Sequence, residues 1–392
     1  MRVLVVYHFY AHYREPVLRA LVQSEEHDYV FLSGSEPNQS GLNPLKVINL
    51  ADGGIRDLVY LKNHWFAGRL LWQTGLLGKL MKEEYDAVIF LGNAYFLTTW
   101  VGVILARIRG KRTLMWSHGL YGKESWLKKK IRCLFYGLAN GLLLYGNWSR
   151  NKLLAEGFSS SNSYVVYNSL DVKMQNALYS ELVAHECKKS AGELFLSNIR
   201  PLLLFIGRLT NQKNLEMLIQ AAFLLEEQGK GVNLLFIGEG PEKKRLIELS
   251  IEKGLQGHVV FYGESFDELA NARLIYAADI CVAPGEVGLT AMHALVYGTP
   301  VITHNAFAQQ MPEFEAIVPN FSGAFFEHDS VADLVVCISK WLDGSDSRME
   351  IRKRCRSIIH RYFNTESQRE VIDAAVCGNA ADEVCDFMES LS

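Results

Sequence analysis

The chain has 392 residues, too many for one ordinary core, so two domains are expected. It is 49% hydrophobic and 21% charged with a formal net charge of −3, which suits a folded protein and gives no overall reason to bind nucleic acid. Its seven cysteines are scattered without a CxxC pair, so neither a zinc site nor a disulfide framework is expected.

In chain order, "MRVLVVYHFY" opens as a strand with one Arg and no small-residue cleavage site, so no signal peptide is expected. Further apolar, β-branched runs lie at 28–34, 86–92, 112–118, 141–146 and 163–168. Amphipathic stretches such as "REPVLRALVQS" (14–24) and "TTWVGVILARIRG" (98–110) separate them. This is the βαβ rhythm of a parallel sheet covered on both faces. The longest apolar stretch, "CLFYGLANGLLLYG", is short and broken by glycine, so no membrane span is expected. A cytoplasmic protein follows as the expectation.

The rhythm lapses over 169–200, which is polar and helix-like. It resumes at 201–209, 232–240, 258–264, 279–285, 300–305 and 324–328, and a helical tail follows. The expected organisation is α/β with two Rossmann-like, doubly wound domains: 1–170, a hinge at 171–200, and 201–345. The tail, 346–392, would pack back on the first domain. Ligands of such sheets sit outside the carboxyl ends of the strands, so the loops of two facing sheets would line one central cleft.

Three segments carry the chemistry. In "FIGRLTNQKN" (205–214), a buried strand ends at Ile206, Gly207 permits a tight exit, and Arg208 and Lys213 lie on the loop that enters a helix. A strand-end glycine, two cations and a helix N-terminus together suit a diphosphate. A solvated loop with ordinary surface charges is the equal alternative on that segment alone. In "FIGEGPEKKRLIEL" (236–249), Gly238 and Gly240 end a strand and Pro241 opens a helix at its first position. No GxGxxG follows, which disfavours a nicotinamide-dependent dehydrogenase. In "PGEVGLTAMHALVYGTPVI" (284–302), Gly285 and Gly288 let the backbone approach a ligand. A helix beginning near Leu289 or Thr290 would point free amides at it, with His293 one turn inside.

In this order and spacing, "GRLTNQKN", "IGEGP", "VVFYGE" and "AADICVAPGEVGLTAMHALVYGTPVI" resemble the donor half of family 4 (group 1) glycosyltransferases of the GT-B fold. The likeness covers about residues 200–330, with a weaker match across the first half. It implies a retaining glycosyltransferase of hexosyltransferase type that uses a nucleotide diphosphate sugar, UDP or GDP based, without a metal or other cofactor. By the same resemblance Arg208 and Lys213 bind the diphosphate. Gly207 and the turn Gly285, Glu286, Val287, Gly288, Leu289 and Thr290 approach the phosphate and the sugar. Gly238, Gly240, Pro241, Tyr262 and Gly263 flank the base and ribose.

The family pattern places two glutamates eight positions apart, where this chain has Gly285 and His293. Glu286 is one residue late for the first glutamate, and His293 can hydrogen-bond a ribose hydroxyl in place of the second. The departure marks either a subfamily with its own donor or an inactive nucleotide-sugar-binding relative; an epimerase on the same architecture is the other alternative. Family members also place a histidine near the donor sugar, a position His118 matches. The loop after the first strand, with His8, Tyr10, Tyr13 and Arg14, would face the acceptor, since aromatic faces suit sugar stacking; a solvated loop that merely happens to be aromatic is the alternative. A glycan or a polyprenyl or other lipid-linked acceptor is implied, in cell-surface polysaccharide or lipopolysaccharide synthesis. Finally, "KESWLKKKIRCLFYGL" (123–138) and "YLKNHWFAGRLLWQTGLLGKLMK" (60–82) mix aromatic, apolar and basic residues. Each is either a helix with one solvated basic face or a surface for the inner face of an anionic membrane.

Overall fold

The computed structural model describes residues 1–34, 58–122, 124–184, 194–197 and 199–386. They form two compact units. The first takes in Met1–Leu170 and the segment that starts at Asn364; the second is Asp171–Phe363.

In the first unit the elements are β1 (Arg2–Val6), α1 (Glu15–Val22), β2 (Asp28–Gly34), β3 (Leu58–Phe66), β4 (Leu70–Thr74), α2 (Leu76–Lys82), β5 (Ala87–Leu91), α3 (Leu97–Ile108), β6 (Arg112–Ser117), α4 (Trp126–Tyr136), β7 (Gly141–Leu144), α5 (Asn147–Ala155) and β8 (Ser163–Val165). The second unit holds α6 (Val172–Ala184), β9 (Leu202–Ile206), α7 (Glu216–Glu227), β10 (Asn233–Ile237), α8 (Lys243–Glu252), β11 (Val259–Gly263), α9 (Glu268–Ala277), β12 (Ile280–Ala283), α10 (Leu289–Val296), β13 (Val301–His304), β14 (Gly323–Phe326), α11 (Val331–Leu342) and α12 (Arg348–Tyr362). The chain then returns to the first unit with α13 (Thr365–Cys377) and α14 (Ala381–Val384).

The second sheet runs β11-β10-β9-β12-β13-β14, all parallel. Its central strands are apolar along their whole length: Leu203, Leu204 and Phe205 of β9 are fully buried. That is what a strand covered on both faces requires. The strand order reverses between β9 and β12, so the carboxyl ends of these two strands frame the crevice where such sheets take ligands. The first sheet runs β4-β3-β2-β1-β5-β6-β7-β8, with its reversal between β1 and β5. Among the described residues, only the pairing of β3 with β4 is antiparallel.

Two readings of the sequence differ from this arrangement. Residues 60–82 are not one amphipathic helix: they form most of the β3–β4 hairpin, turning at Ala67 and Gly68, and then α2. The run "LVYLKNHWF" carries the β-branched and aromatic residues that favour a strand, and its lysine hid the alternation. The tail also divides. Helix α12 lies in the second unit, where the Arg352 guanidinium carbon sits 3.4 Å from the centroid of the Tyr276 ring. Helix α13 lies in the first, where Val371, Ile372 and Ala375 join the core of β1 and β6. There Tyr29 donates to Asp373 Oδ1 at 2.6 Å and Arg112 Nε to the Ala375 carbonyl at 2.6 Å. Among the described residues no helix is long and apolar enough to cross a membrane.

Candidate functional site

In the second unit, three strand-end loops pack backbone against backbone. The amide of Gly207 donates to Ile237 O, and that of Leu209 to Glu239 O, each at 2.9 Å. This approach excludes side chains: a Cβ on Gly238 would lie 2.0 Å from Gly207 O, and one on Gly240 2.2 Å from Leu209 O. Pro241 sits in the turn just before α8, not at its first position, because Glu242 caps that helix.

The turn after β12 docks on a short 3-10 turn, Asn211–Lys213. Gly285 N donates to Lys213 O at 3.0 Å, and Lys213 Nζ donates to Glu286 O at 2.6 Å. A Cβ on Gly285 would lie 2.1 Å from Gln212 O. Gly285 is buried, so its missing side chain serves the contact between the two loops and not the approach of a ligand. The glutamate of the family pattern has no room here. Glu286, next in the chain, is only half-buried.

Buried Gln310, which no sequence motif singles out, braces the turn. Its Oε1 accepts from Val287 N at 2.9 Å, and its Nε2 donates to Thr303 Oγ1 at 2.8 Å. The Val287 amide is therefore spent inside the protein and is not offered to a ligand. Gly288, with φ +52 and ψ −148, adopts a backbone open to glycine alone and caps α10 without a side chain. Beyond it the amides of Gly288, Leu289 and Thr290 have no hydrogen-bond acceptor among the described residues. Thr290 Oγ1 donates to Ile206 O at 2.8 Å and ties this helix start to the end of β9.

Two cations accompany these amides. Lys213 is largely buried, and burial lowers its pKa from the ordinary lysine value while the carboxylates of Glu286 and Glu313 pull it back up. A buried ammonium with one carbonyl acceptor has two N–H donors left for an anion. Arg208 is exposed and has no ion pair or side-chain hydrogen bond among the described residues. The arrangement is donors and positive charge at the β9–β12 switch point, which suits a pyrophosphate.

His293 projects one turn into α10. Its Nε2 lies 3.0 Å from Glu268 Oε1, which also accepts from Tyr297 OH at 2.7 Å and Gln175 Nε2 at 3.0 Å. Burial alone would raise the pKa of Glu268, but the hydrogen bonds from His293, Gln175 and Tyr297 outweigh it and hold the carboxyl below its ordinary value. An ionised Glu268 accepts a proton-bearing Nε2, which leaves His293 Nδ1 to meet a ligand as donor or acceptor. Glu268, another residue the sequence did not flag, thus supplies a carboxylate behind His293. Tyr262 and Gly263 end β11, Tyr262 is exposed, and the unforeseen Phe266 beside them is 83% exposed.

In the first unit, His118 follows β6 and lies 4.6 Å, centroid to centroid, from Tyr145. Burial, with Arg14 and Arg132 nearby, lowers its pKa to about 4. His118 is therefore a neutral imidazole at pH 7, fit to hydrogen-bond a sugar and weak as a base. The expected acceptor loop divides. Tyr10 is a core residue: it is 2% exposed and its hydroxyl donates to Val5 O at 2.8 Å. It cannot offer a face to an acceptor. His8, Tyr13 and Arg14 are half-buried. Among the described residues one group, Glu26, His27 and Cys377, brings metal-ligand atoms within 4.8 Å of one another. It lies at the amino end of β2, away from the strand-end loops.

Comparison with known proteins shows what the second unit resembles. Residues 189–358 match the model of the glycosyl transferases group 1. That stretch of the chain, which holds most of the second unit, is similar to this family. A glycogen synthase of Flavobacterium johnsoniae is 34% identical over 176 residues, 42% of this chain and 36% of that protein. The sulfoquinovosyl transferase SQD2 of Arabidopsis thaliana is 29% identical over 272 residues, 64% of this chain and 49% of that protein. The chain thus spans between a third and a half of the length of these two relatives. Among solved structures, Anabaena HepE in complex with UDP aligns with a TM-score of 0.70 at 15% identity, over 96% of this chain and 99% of that one. The lipopolysaccharide outer core galactosyltransferase WaaB aligns with a TM-score of 0.69 at 14% identity, over the same shares. The two α/β units thus have the GT-B fold.

Proposed function

We propose that the protein is a retaining glycosyltransferase that moves a sugar from a nucleoside diphosphate to a glycan or lipid-linked acceptor. The observation that carries this is the cluster at the β9–β12 switch point: buried Lys213, unpaired Arg208 and the free amides of Gly288, Leu289 and Thr290. The bond between the anomeric carbon and the diphosphate oxygen breaks, and its electron pair leaves with the diphosphate. The cations and amides meet the charge that develops there. The acceptor oxygen bonds to the same face of that carbon, and its proton passes to a phosphate oxygen. Gly285 is no sign of inactivity in this reading, because the loop contact requires it. His293, held by Glu268, takes a ribose hydroxyl on Nδ1.

Relatives support the donor class: HepE has been solved with UDP and with UDP-glucose, and mycobacterial relatives are GDP-mannose dependent. The test is incubation with UDP- and GDP-sugars, with transfer or slow hydrolysis followed by release of the nucleoside diphosphate. Turnover lost in Lys213→Met supports the reading. Tight donor binding with no turnover on any acceptor would leave a binding protein, and a new donor epimer without acceptor would make it an epimerase.

We further propose that the first unit docks on an anionic membrane, in keeping with a role in cell-surface polysaccharide or lipopolysaccharide synthesis. Helix α3 turns Leu97, Val101, Ile104 and Ile108 outward, and α4 exposes Trp126, Leu127, Ile131 and Leu134. The helices are neighbours, with the Trp100 and Phe135 rings 4.8 Å apart. Lys128 and Lys130 lie on the same helix, exposed and without an ion pair among the described residues. Apolar stripes edged by free lysines suit an anionic interface.

A further inference from the structure

The end of β1 and the ends of β6 and β7 hold a cluster that the donor chemistry leaves unused. The Arg14 guanidinium carbon lies 5.1 Å from the centroid of the Tyr7 ring, 4.8 Å from that of Trp116 and 5.3 Å from that of Tyr145. Arg14 has no carboxylate partner and no side-chain hydrogen bond among the described residues. A guanidinium seated against ring faces keeps its N–H edge for an in-plane acceptor.

The surrounding polar atoms are equally unmatched. Tyr7 OH, Trp116 Nε1, Tyr145 OH, His8 Nδ1 and His118 Nδ1 are all buried without a hydrogen-bond partner. Tyr7, Trp116 and Tyr145 are 3%, 0% and 2% exposed, whereas Arg14, His8 and His118 are half-buried and reach solvent. A buried polar atom left unpaired loses its bond to water and gains none in return, so the cluster is poised for something that pairs these atoms. Arginine and indole nitrogens donate only, and the hydroxyls and imidazoles can donate as well. The charged neighbours that act on His8 and His118 are Arg14 and Arg132, with no acid among them. The complement of a cradle with two donor-only groups, further groups able to donate and the Arg14 charge is an oxyanion.

We propose that Arg14, with Tyr7, Trp116 and Tyr145 beneath it, is a subsite for a carboxylate or phosphate carried by the acceptor. This rests on the transferase reading and narrows it: the acceptor is an acidic glycan or a phosphate-bearing lipid carrier, not a neutral sugar. The site lies wholly in the first unit, and none of its residues is assigned to the donor diphosphate.

The test follows the imidazole nitrogens of His8 and His118 by NMR in protein labelled with 15N-histidine. The probes are methyl β-D-glucuronide, inorganic phosphate and neutral methyl β-D-glucoside at millimolar concentration, with UDP titrated separately. An acidic probe should shift both histidines saturably and the glucoside should not; which acid does so distinguishes carboxylate from phosphate. Arg14→Gln should weaken that binding at least about tenfold, the loss expected when a charge-assisted hydrogen bond goes. Tyr145→Phe, which keeps the ring and its packing, should weaken it severalfold, and neither change should alter UDP affinity. Histidines that ignore both acids while UDP binds would overturn the subsite, leave the transferase reading standing and assign the unpaired atoms to water. Acid binding unchanged in both variants would also overturn it. Loss of UDP binding in the wild type would strike the donor site alone.

Discussion

Replacing Gly285 by alanine tests whether the departure from the family motif is structural. The added Cβ would meet Gln212 O at 2.1 Å and the Cα and carbonyl carbon of Lys213 at 2.8 Å. All three are backbone atoms, so no side chain can swing aside. To go from 2.1 Å to the 3.4 Å of ordinary contact, the two loops must part by about 1.3 Å. That strains the Gly285 N–Lys213 O and Lys213 Nζ–Glu286 O hydrogen bonds. Overpacking costs about 1–3 kcal/mol and a lost hydrogen bond about 1 more, so about 2–4 kcal/mol is expected. For a unit of this size that lowers Tm by roughly 4–16 °C. Because Lys213 loses its anchor, nucleoside diphosphate affinity should fall at least about tenfold. Gly285→Glu, which restores the family residue, should be worse. Thermal unfolding and calorimetric titration of both variants read these effects. A Gly285→Ala protein that melts and binds like the wild type would refute the loop-contact explanation.

Arg208→Ala should leave Tm unchanged, because the side chain is exposed and unpaired, yet weaken diphosphate binding about tenfold, as titration would report. Affinity should decline as pH rises through the lowered pKa of Lys213, sooner than for an ordinary lysine, since deprotonation removes the cation; Lys213→Arg should abolish that decline. Glu268, whose carboxyl is held below its ordinary 4.5, adds stability that is full above that value and lost as pH falls through the lowered one; acid unfolding of Glu268→Gln should lack that component. Removing Lys128 and Lys130 together should cut binding to anionic vesicles by about 2 kcal/mol, roughly thirtyfold, in co-sedimentation.

The strand-helix rhythm was legible because parallel strands covered on both faces are unbroken apolar runs. "LLLFI" and "NLLFI" became β9 and β10 where the pattern placed them. Strands β3 and β4 were not legible, because "YLKNHWF" of β3 has a polar face and β4 is the short strand at the sheet edge. At the site, glycines and cations announced themselves by type and spacing. What they do required distances: Gly285 clears a carbonyl and not a ligand, and Val287 spends its amide on Gln310. Gln310 and Glu268 act from 25 residues away or nearly so, through contacts no local pattern encodes. Tyr10 was misplaced because an aromatic in a strand-end loop can equally face inward, as its bond to Val5 O makes it do.

The most direct measurement is calorimetric titration of UDP and of GDP into the wild type and Lys213→Met. One nucleotide should bind the wild type and lose at least about tenfold in affinity in the variant, with the fold intact by circular dichroism. Equal affinity in the two proteins would place the diphosphate away from the β9–β12 switch point and contradict the assignment of the donor site.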